Sequence, residues 1–307
     1  MYSPTRNWEF YNNLLVNRGR IVTILIQPSL LETTALKALN WNKRGRPFQF
    51  PSALISAALA VKCALRFAYR QLAGFMEDIS QKFDVKMPNF RTIWWRIDRM
   101  KDDSIKFNAT EGKHRVVAID STGLRPVNDG EYRKMKYDQR KEWIKLHVAV
   151  DVETKEILSL TVTKGNVNDC LEFGKVIEPI ADLTSAVFAD KAYDTAKIFE
   201  YCDDNNIFAG IPVKLNATNI HSRCRQRADA IEAQLGFLCR RGSMRLNRHL
   251  TEEKKADNQE QWKLKVKYGR RSLVESAFSR YKRVLGETLF SKKSENIEKE
   301  IVAKSTY

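Results

Sequence analysis

The sequence predicts an α/β protein: a mixed five-stranded sheet with flanking helices, preceded by a small all-α region. Three observations predict it. Apolar residues recur at three-to-four spacing through the first part of the chain. From Val116 the period drops to two and short apolar runs appear. Further on, such runs alternate with amphipathic stretches, as when strands are joined by crossover helices. With 307 residues the chain has length for about two domains of roughly 150 residues each. The expected division is 1–110 and 111–307.

Pro51-Ser52 opens a helix on which Leu54, Ile55, Ala58, Leu59, Lys62 and Leu65 repeat. A second helix spans about Tyr69 to Phe83, with Leu72, Phe75, Met76 and Ile79 on one side. The link Asp84–Asn89 breaks the pattern, and Asn89 can cap a third helix from Phe90 to about Met100. Its exposed positions are expected to include Arg91, Arg96 and Arg99, interleaved with Trp94 and Trp95. Helix, short turn, basic helix is the outline of a helix-turn-helix, whose second helix can enter a major groove. A plain three-helix bundle with a basic surface has the same outline. Upstream, Lys43-Arg44-Gly45-Arg46-Pro47 reads as a flexible basic arm suited to phosphates or a minor groove.

The first strand is Val116–Ile119, ending in Asp120 ahead of the turn-forming Ser121-Thr122-Gly123. Lys145–Asp151 alternates, with Leu146, Val148 and Val150 on one face and Lys145, His147 and Ala149 on the other. Ile157–Thr163 alternates again, and the polar stretch between them suits a hairpin. An amphipathic helix follows from about Asp169 to Ile180. The fourth strand, Ser185–Ala189, ends in Asp190; a helix from about Thr195 to Asn205 leads to the fifth, Ile207–Val213.

Composition narrows the function. Hydrophobic residues make up 43%, which is globular, and 53 Lys plus Arg against 37 Asp plus Glu give a net charge of +16. The excess is concentrated: residues 1–110 hold 17 basic and 8 acidic side chains, residues 214–271 hold 15 and 6. Two basic regions thus flank a nearly neutral one, and a polyanionic partner, DNA or RNA, is expected. No stretch reaches the roughly 20 apolar residues of a membrane helix; the longest candidate, Ala53–Leu65, carries Ser56 and Lys62. The N-terminus lacks the layout of a secretory signal. Five cysteines, an odd number without close pairing, suit a reducing cytosol.

Asp120 and Asp190 each follow a short apolar strand. If those strands are parallel neighbours, both carboxylates lie at one sheet edge, where open sheets place their sites. Paired carboxylates repel unless a cation intervenes, and magnesium is bound by one or two carboxylates plus phosphate oxygens. Either aspartate alone reads equally as a turn former. A third acid changes this. On a helix at about 100° per residue, with Tyr268 as zero, Arg271 falls near 300°, Glu275 near 340° and Lys282 near 320°. One carboxylate among cations therefore shares a stripe, next to an apolar arc of Leu273, Val274, Ala277, Phe278, Tyr281, Val284 and Leu285. An exposed Arg271–Glu275 ion pair, worth about 0.3–0.5 kcal/mol, would leave the alignment with Tyr268 and Lys282 unexplained.

These residues carry a family resemblance. The spacing Tyr268, Arg271, Glu275, Lys282 resembles the signature of prokaryotic insertion-sequence transposases with a DDE triad, within those the insertion-sequence-four and insertion-sequence-five groups. Ala118-Ile119-Asp120-Ser121-Thr122-Gly123-Leu124, Lys145–Asp151 and Ala189-Asp190-Lys191-Ala192-Tyr193-Asp194 match as well, and the likeness covers essentially the whole chain. Family members often continue with further helix past the region matching Asn296–Lys304.

The resemblance implies an RNase H-like catalytic domain over 111–307, with a basic insertion at about 214–267, behind a DNA-binding helix-turn-helix domain over 1–110. It implies catalysis and metal binding by Asp120, Asp190 and Glu275, with Mg²⁺ as cofactor and Mn²⁺ as substitute. Tyr268, Arg271 and Lys282 would contact DNA phosphates, alongside Arg91, Arg96, Arg99, Lys43, Arg44 and Arg46. The implied partners are double-stranded DNA (transposon ends and target) and further copies of the chain on that DNA, with no membrane. The implied place is the prokaryotic cytoplasm, on the nucleoid. The insertion's Arg223, Arg225, Arg227, Arg240, Arg241, Arg245 and Arg248 suit a nucleic-acid surface.

Rival readings are weaker. A haloacid-dehalogenase-type phosphatase wants a second Asp two residues after the first, where this chain has Thr122. There is no Gly-x-x-x-x-Gly-Lys loop. His221, Cys224, Cys239 and His249 match no common zinc spacing. His114 and His147 read as packed or exposed side chains. The alternative from another class is a catalytically decayed DNA-binding protein or repressor.

Overall fold

The computed structural model describes Leu25 and residues 33–100, 114–127, 143–217, 224–236, 238–240, 243–245 and 251–306. The chain divides into two units, Met1–Lys106 with Ser291–Tyr307, and Phe107–Phe290. Helices α1 (Thr33–Asn40), α2 (Ser52–Ala64), α3 (Tyr69–Phe83) and α4 (Phe90–Arg99) come first. Asp84 ends α3 in a left-handed conformation (φ 50°), which a short polar side chain tolerates. Asn89 then caps α4, its side chain accepting the Thr92 amide N–H at 2.9 Å. Leu54, Ile55, Ala58, Leu72, Met76 and Ile93 are fully buried together. Among the described residues no single helix is long and apolar enough to cross a membrane.

The sheet begins with β1 (Arg115–Pro126), β2 (Ile144–Asp151) and β3 (Ile157–Lys164), an antiparallel meander. Helix α5 (Asp169–Ile177) leads to β4 (Thr184–Phe188), and α6 (Ala196–Asp204) to β5 (Phe208–Gly210). Both later strands run parallel to β1, and the order across the sheet is β3-β2-β1-β4-β5. Three antiparallel strands followed by two parallel ones in that order form the RNase H-like sheet. The expected helix to Ile180 stops at Ile177, and Glu178-Pro179 opens a 3₁₀ segment to Leu183. The insertion holds α7 (Arg225–Leu235), a hairpin of β6 (Leu238–Arg240) and β7 (Ser243–Arg245), and α8 (Glu252–Lys265). After it come α9 (Ser272–Leu285) and β8 (Thr288–Leu289), which adds a sixth strand beside the far end of β1. One face of the sheet buries Val117, Ile119, Ala149 and Val187 with Phe173, Val176 and Ile177 of α5. Helix α9 packs on β1 and β2 and buries Val274, Phe278, Tyr281 and Leu285.

Four expectations need correction. Strand β1 does not stop at Asp120: Ser121, Thr122 and Gly123 pair with His147, Leu146 and Lys145. Strand β2 is buried on both faces from Leu146 onward, His147 included at 1% exposure, because helices cover both sides. Arg227 is no nucleic-acid contact. It is 8% exposed, and its Nε and Nη2 each reach Asp194 Oδ1 at 3.1 Å. Finally, the last segment, α10 (Ser294–Thr306), does not continue the sheet domain: it packs with α2 and α4, and Ala303 joins their core.

Helix α7 has a definite task beside the edge strand. Gln226 Oε1 accepts the Ala209 N–H at 2.7 Å and Gln234 Oε1 accepts that of Val213 at 2.9 Å, while the Gln226 amide donates to Ile207 O. Side-chain amides thereby satisfy an edge that would otherwise pair with foreign strands. Arg225 is exposed. Arg223, Arg241, Arg248, His221 and His249 lie outside the described residues, as do the side chains of Cys239, Arg240 and Arg245. Cys224 instead donates its thiol to Asp203 at 3.7 Å.

Candidate active site

The parallel pairing of β1 and β4 carries two of the acids to the same end of the sheet. Val117 is opposite Val187 and Ala118 opposite Phe188, the last pair of the two strands; Asp120 and Asp190 each follow two residues later. Beyond Phe188 the β4 chain leaves the sheet, and the Asp190 carboxylate accepts the Ala192 N–H at 2.7 Å, starting a 3₁₀ turn. Asp120 Oδ1 accepts the Ser121 N–H at 2.8 Å.

The third acid is delivered by the end of the insertion. Lys267 adopts a left-handed conformation (φ 56°), and Tyr268–Arg271 form a 3₁₀ turn before α9. The stripe expected on one continuous helix is thus split, yet i and i+3 eclipse in a 3₁₀ turn, so Tyr268 and Arg271 still share a side. Tyr268 donates its hydroxyl to Ala189 O at 3.0 Å, one residue before Asp190, and its ring packs against Phe188 and Trp262. Arg271 donates from Nη2 to Asp120 Oδ2 and from Nη1 to Glu275 Oε1, both at 2.9 Å. Two bonds therefore clamp α9 onto the ends of β1 and β4. Lys282 lies two turns beyond Glu275 on α9, half-buried.

Charge is concentrated here. Burial raises the Asp120 carboxyl above its ordinary value; the Ser121 amide and Arg271 oppose this, while Asp190 and Glu275 add to it. Burial lowers Arg271, but Asp120, Tyr268, Glu275 and Asp190 together outweigh that, and its net shift is upward. The Tyr268 phenol is pushed up to about 12, chiefly by burial. So the site holds a cation firmly while its buried carboxylate remains under-compensated.

Three hard oxygen donors of this kind suit a divalent ion. Asp120 and Glu275 already share one positive charge, the Arg271 guanidinium. With that group between them, no three His, Cys, Asp or Glu side chains among the described residues gather as a metal site.

The other candidate contacts lie in the helical unit and separate into two kinds. Arg91, Arg99, Arg44 and Arg46 are exposed. The Arg99 guanidinium stacks 4.3 Å over Trp95, beside exposed Trp94. Arg96 is a correction: at 6% exposure it donates to Phe50 O at 2.9 Å and to Ser52 Oγ at 3.0 Å, and covers the Phe48 ring. Lys43 is a second one. Its ammonium donates to the Arg46 carbonyl, and Asn40 bonds both N–H and C=O of Phe48, so the expected flexible arm is a closed turn.

A cluster next to the acids escaped the sequence reading. Asp169 accepts from Ser121 Oγ at 3.1 Å and from Lys145 Nζ at 3.0 Å, and His147 Nδ1 lies 3.8 Å away. Burial lowers the His147 imidazole. Tyr193 is buried close by. The available signal was Asn168, whose side chain accepts the Cys170 N–H at 3.3 Å and starts α5 at Asp169.

A family model described as "Transposase DDE domain" matches residues 111–306, and a second model of the same description matches residues 16–129. This chain belongs to the DDE transposase family. Among solved structures it is similar to a piggyBac transposase in a synaptic complex with hairpin DNA. That match has 11% identity and a TM-score of 0.38, covering 92% of this chain and 73% of the other. It is also similar to a chain of a simian T-cell lymphotropic virus intasome in complex with PP2A regulatory subunit B56 gamma. There identity is 14% and the TM-score 0.22, over 64% of this chain and 68% of that one.

Proposed function

We propose that this DDE transposase binds the terminal inverted repeats of an insertion sequence, cleaves the donor DNA and joins the 3′ ends to target DNA. The observation that carries the reading is the double clamp of Tyr268 on Ala189 and of Arg271 on Asp120, contacts 79 and 151 residues apart in sequence. The clamp gathers Asp120 and Glu275 about one guanidinium beside the Asp190 turn, more carboxylate than one cation compensates, which a purely structural helix would have no cause to do.

In this reading Asp120, Asp190 and Glu275 hold Mg²⁺, or Mn²⁺ in its place. The ions would lower the pKa of an attacking water or 3′-hydroxyl and stabilise the departing oxygen in an in-line displacement. The chain's own groups do the rest. Arg271 lets go of one carboxylate and turns its bidentate fork to a phosphate. Tyr268 keeps the Asp190 loop fixed through Ala189, and Lys282 contributes a point charge two turns further along α9. Arg91, Arg99, Arg44 and Arg46 of the helical unit hold DNA through its phosphates. A second copy of the chain carries the other transposon end, and the work is done on the prokaryotic nucleoid.

The test is incubation of DNA carrying the element's ends with the full chain and magnesium or manganese. Metal-dependent cleavage that Asp120→Asn, Asp190→Asn and Glu275→Gln each abolish, with end binding retained, supports the reading. Gel shifts without cuts would instead identify a non-catalytic binder.

A further inference from the structure

We infer that the first turn of α5 is the brace that sets the separation of Asp120 and Asp190, with Asp169 as its positioning residue. This rests on the proposed role of the two aspartates and adds residues to it.

Two adjacent residues of one helical turn reach the residues that hold two different acids. Asp169 accepts the Ser121 hydroxyl at 3.1 Å, and the Ser121 N–H in turn donates to the Asp120 carboxylate at 2.8 Å. Cys170 donates its thiol to Ala192 O at 2.8 Å, and the Ala192 N–H donates to the Asp190 carboxylate at 2.7 Å. The turn itself is held from β2, because Lys145 Nζ donates both to Asp169 Oδ1 and to Val167 O, each at 3.0 Å. Below it Phe173 of α5 packs on Tyr193, ring centroids 6.1 Å apart, fixing the far side of the Asp190 turn. Tyr193 is 1% exposed and its hydroxyl has no hydrogen-bond partner among the described residues.

The plainer account is an acidic residue at a helix N-terminus paired with a lysine, worth at most about 1 kcal/mol when partly exposed. It explains Lys145 but not why Asp169 also takes the hydroxyl of the residue after Asp120 while the neighbouring thiol reaches the turn of Asp190. The two accounts differ in what mutation does to metal binding. Partners that orient metal-binding carboxylates typically change metal affinity by about 10- to 100-fold when removed.

The experiment is Mn²⁺ titration of the full chain without DNA, read by electron paramagnetic resonance. Wild type is compared with Asp169→Ala, Ser121→Ala, Cys170→Ala and Asp120→Asn, and circular dichroism checks that each is folded. The brace predicts that Asp169→Ala raises the half-saturating Mn²⁺ concentration about tenfold, and that high Mn²⁺ partly restores cleavage. Ser121→Ala and Cys170→Ala remove only a hydroxyl or a thiol, so they carry the same test with smaller shifts if Asp169→Ala does not fold. Wild-type Mn²⁺ binding by the three brace variants, with binding lost in Asp120→Asn, overturns the brace and leaves the function standing. Wild-type binding by Asp120→Asn overturns the proposed role of the aspartates themselves.

Discussion

Asp120 is held in a state that costs stability. Its carboxyl is shifted upward by burial and by Asp190 and Glu275, so the folded chain binds that proton more tightly than the unfolded one. Stability then falls as pH rises from the ordinary value of 3.8 to the raised one, and the loss persists at neutral pH. Asp120→Asn should therefore raise the melting temperature at pH 7 while abolishing cleavage, and the gain should vanish below pH 3.8, where both states are protonated. Calorimetry across pH checks the sign; a lower melting temperature at pH 7 would contradict it. Arg271 gives a second prediction. Arg271→Ala removes the cation that Asp120 and Glu275 share, so Mn²⁺ should bind more tightly without DNA, several-fold, while cleavage falls. Short apolar runs and a helical stripe single out Asp120, Asp190 and Glu275 in sequence, although β1 runs on past Asp120 and a 3₁₀ turn splits the stripe. Asp169 was not, since a contact between the start of one helix and two strands leaves no period.

At the scale of elements, the two misread arginines share one physical cause. Arg96 and Arg227 sit on amphipathic helices, where spacing distinguishes faces but does not show whether a long cation at the border lies over the core. The structure buries both, so Arg96→Ala should destabilise the helical unit by about 1–3 kcal/mol, the cost of leaving the Phe50 carbonyl without its donor. Arg91→Ala and Arg99→Ala should leave the melting temperature unchanged and weaken DNA binding, each reducing the salt slope by about one. At the sheet edge, a Cβ added to Gly210 would collide with Cδ1 of buried Phe188. Gly210→Ala should then cost about 1–3 kcal/mol as overpacking, measured by urea denaturation. The five core strands and the helices between them were readable from apolar runs; the order of the strands and the end of α5 were not. The edge cover by Gln226 and Gln234 was not, because polar side chains replacing a ladder look like any exposed helix face.

For the whole molecule, each of the sequence's two basic regions divides its described arginines between fold and surface: the helical unit buries Arg96 and exposes Arg91 and Arg99, and the insertion buries Arg227 and exposes Arg225. The last helix joins the helical unit through buried cations: Lys299 donates to the carbonyls of Ile97 and Asp98 at the end of α4, and Lys304 pairs with Glu300 at 1% and 2% exposure. Removing residues 294–306 should unfold the helical unit and abolish DNA binding, although the sheet lies elsewhere in sequence; end binding by such a truncated chain would refute this. The claim on which the account most depends is that three acids from β1, the turn after β4 and α9 share bound cations. Iron(II) substituted for magnesium, with ascorbate and peroxide, cuts the backbone beside the bound ion. The account predicts fragments ending near residues 120, 190 and 275 that disappear in Asp120→Asn; cuts elsewhere, or unchanged cuts in that variant, would contradict it.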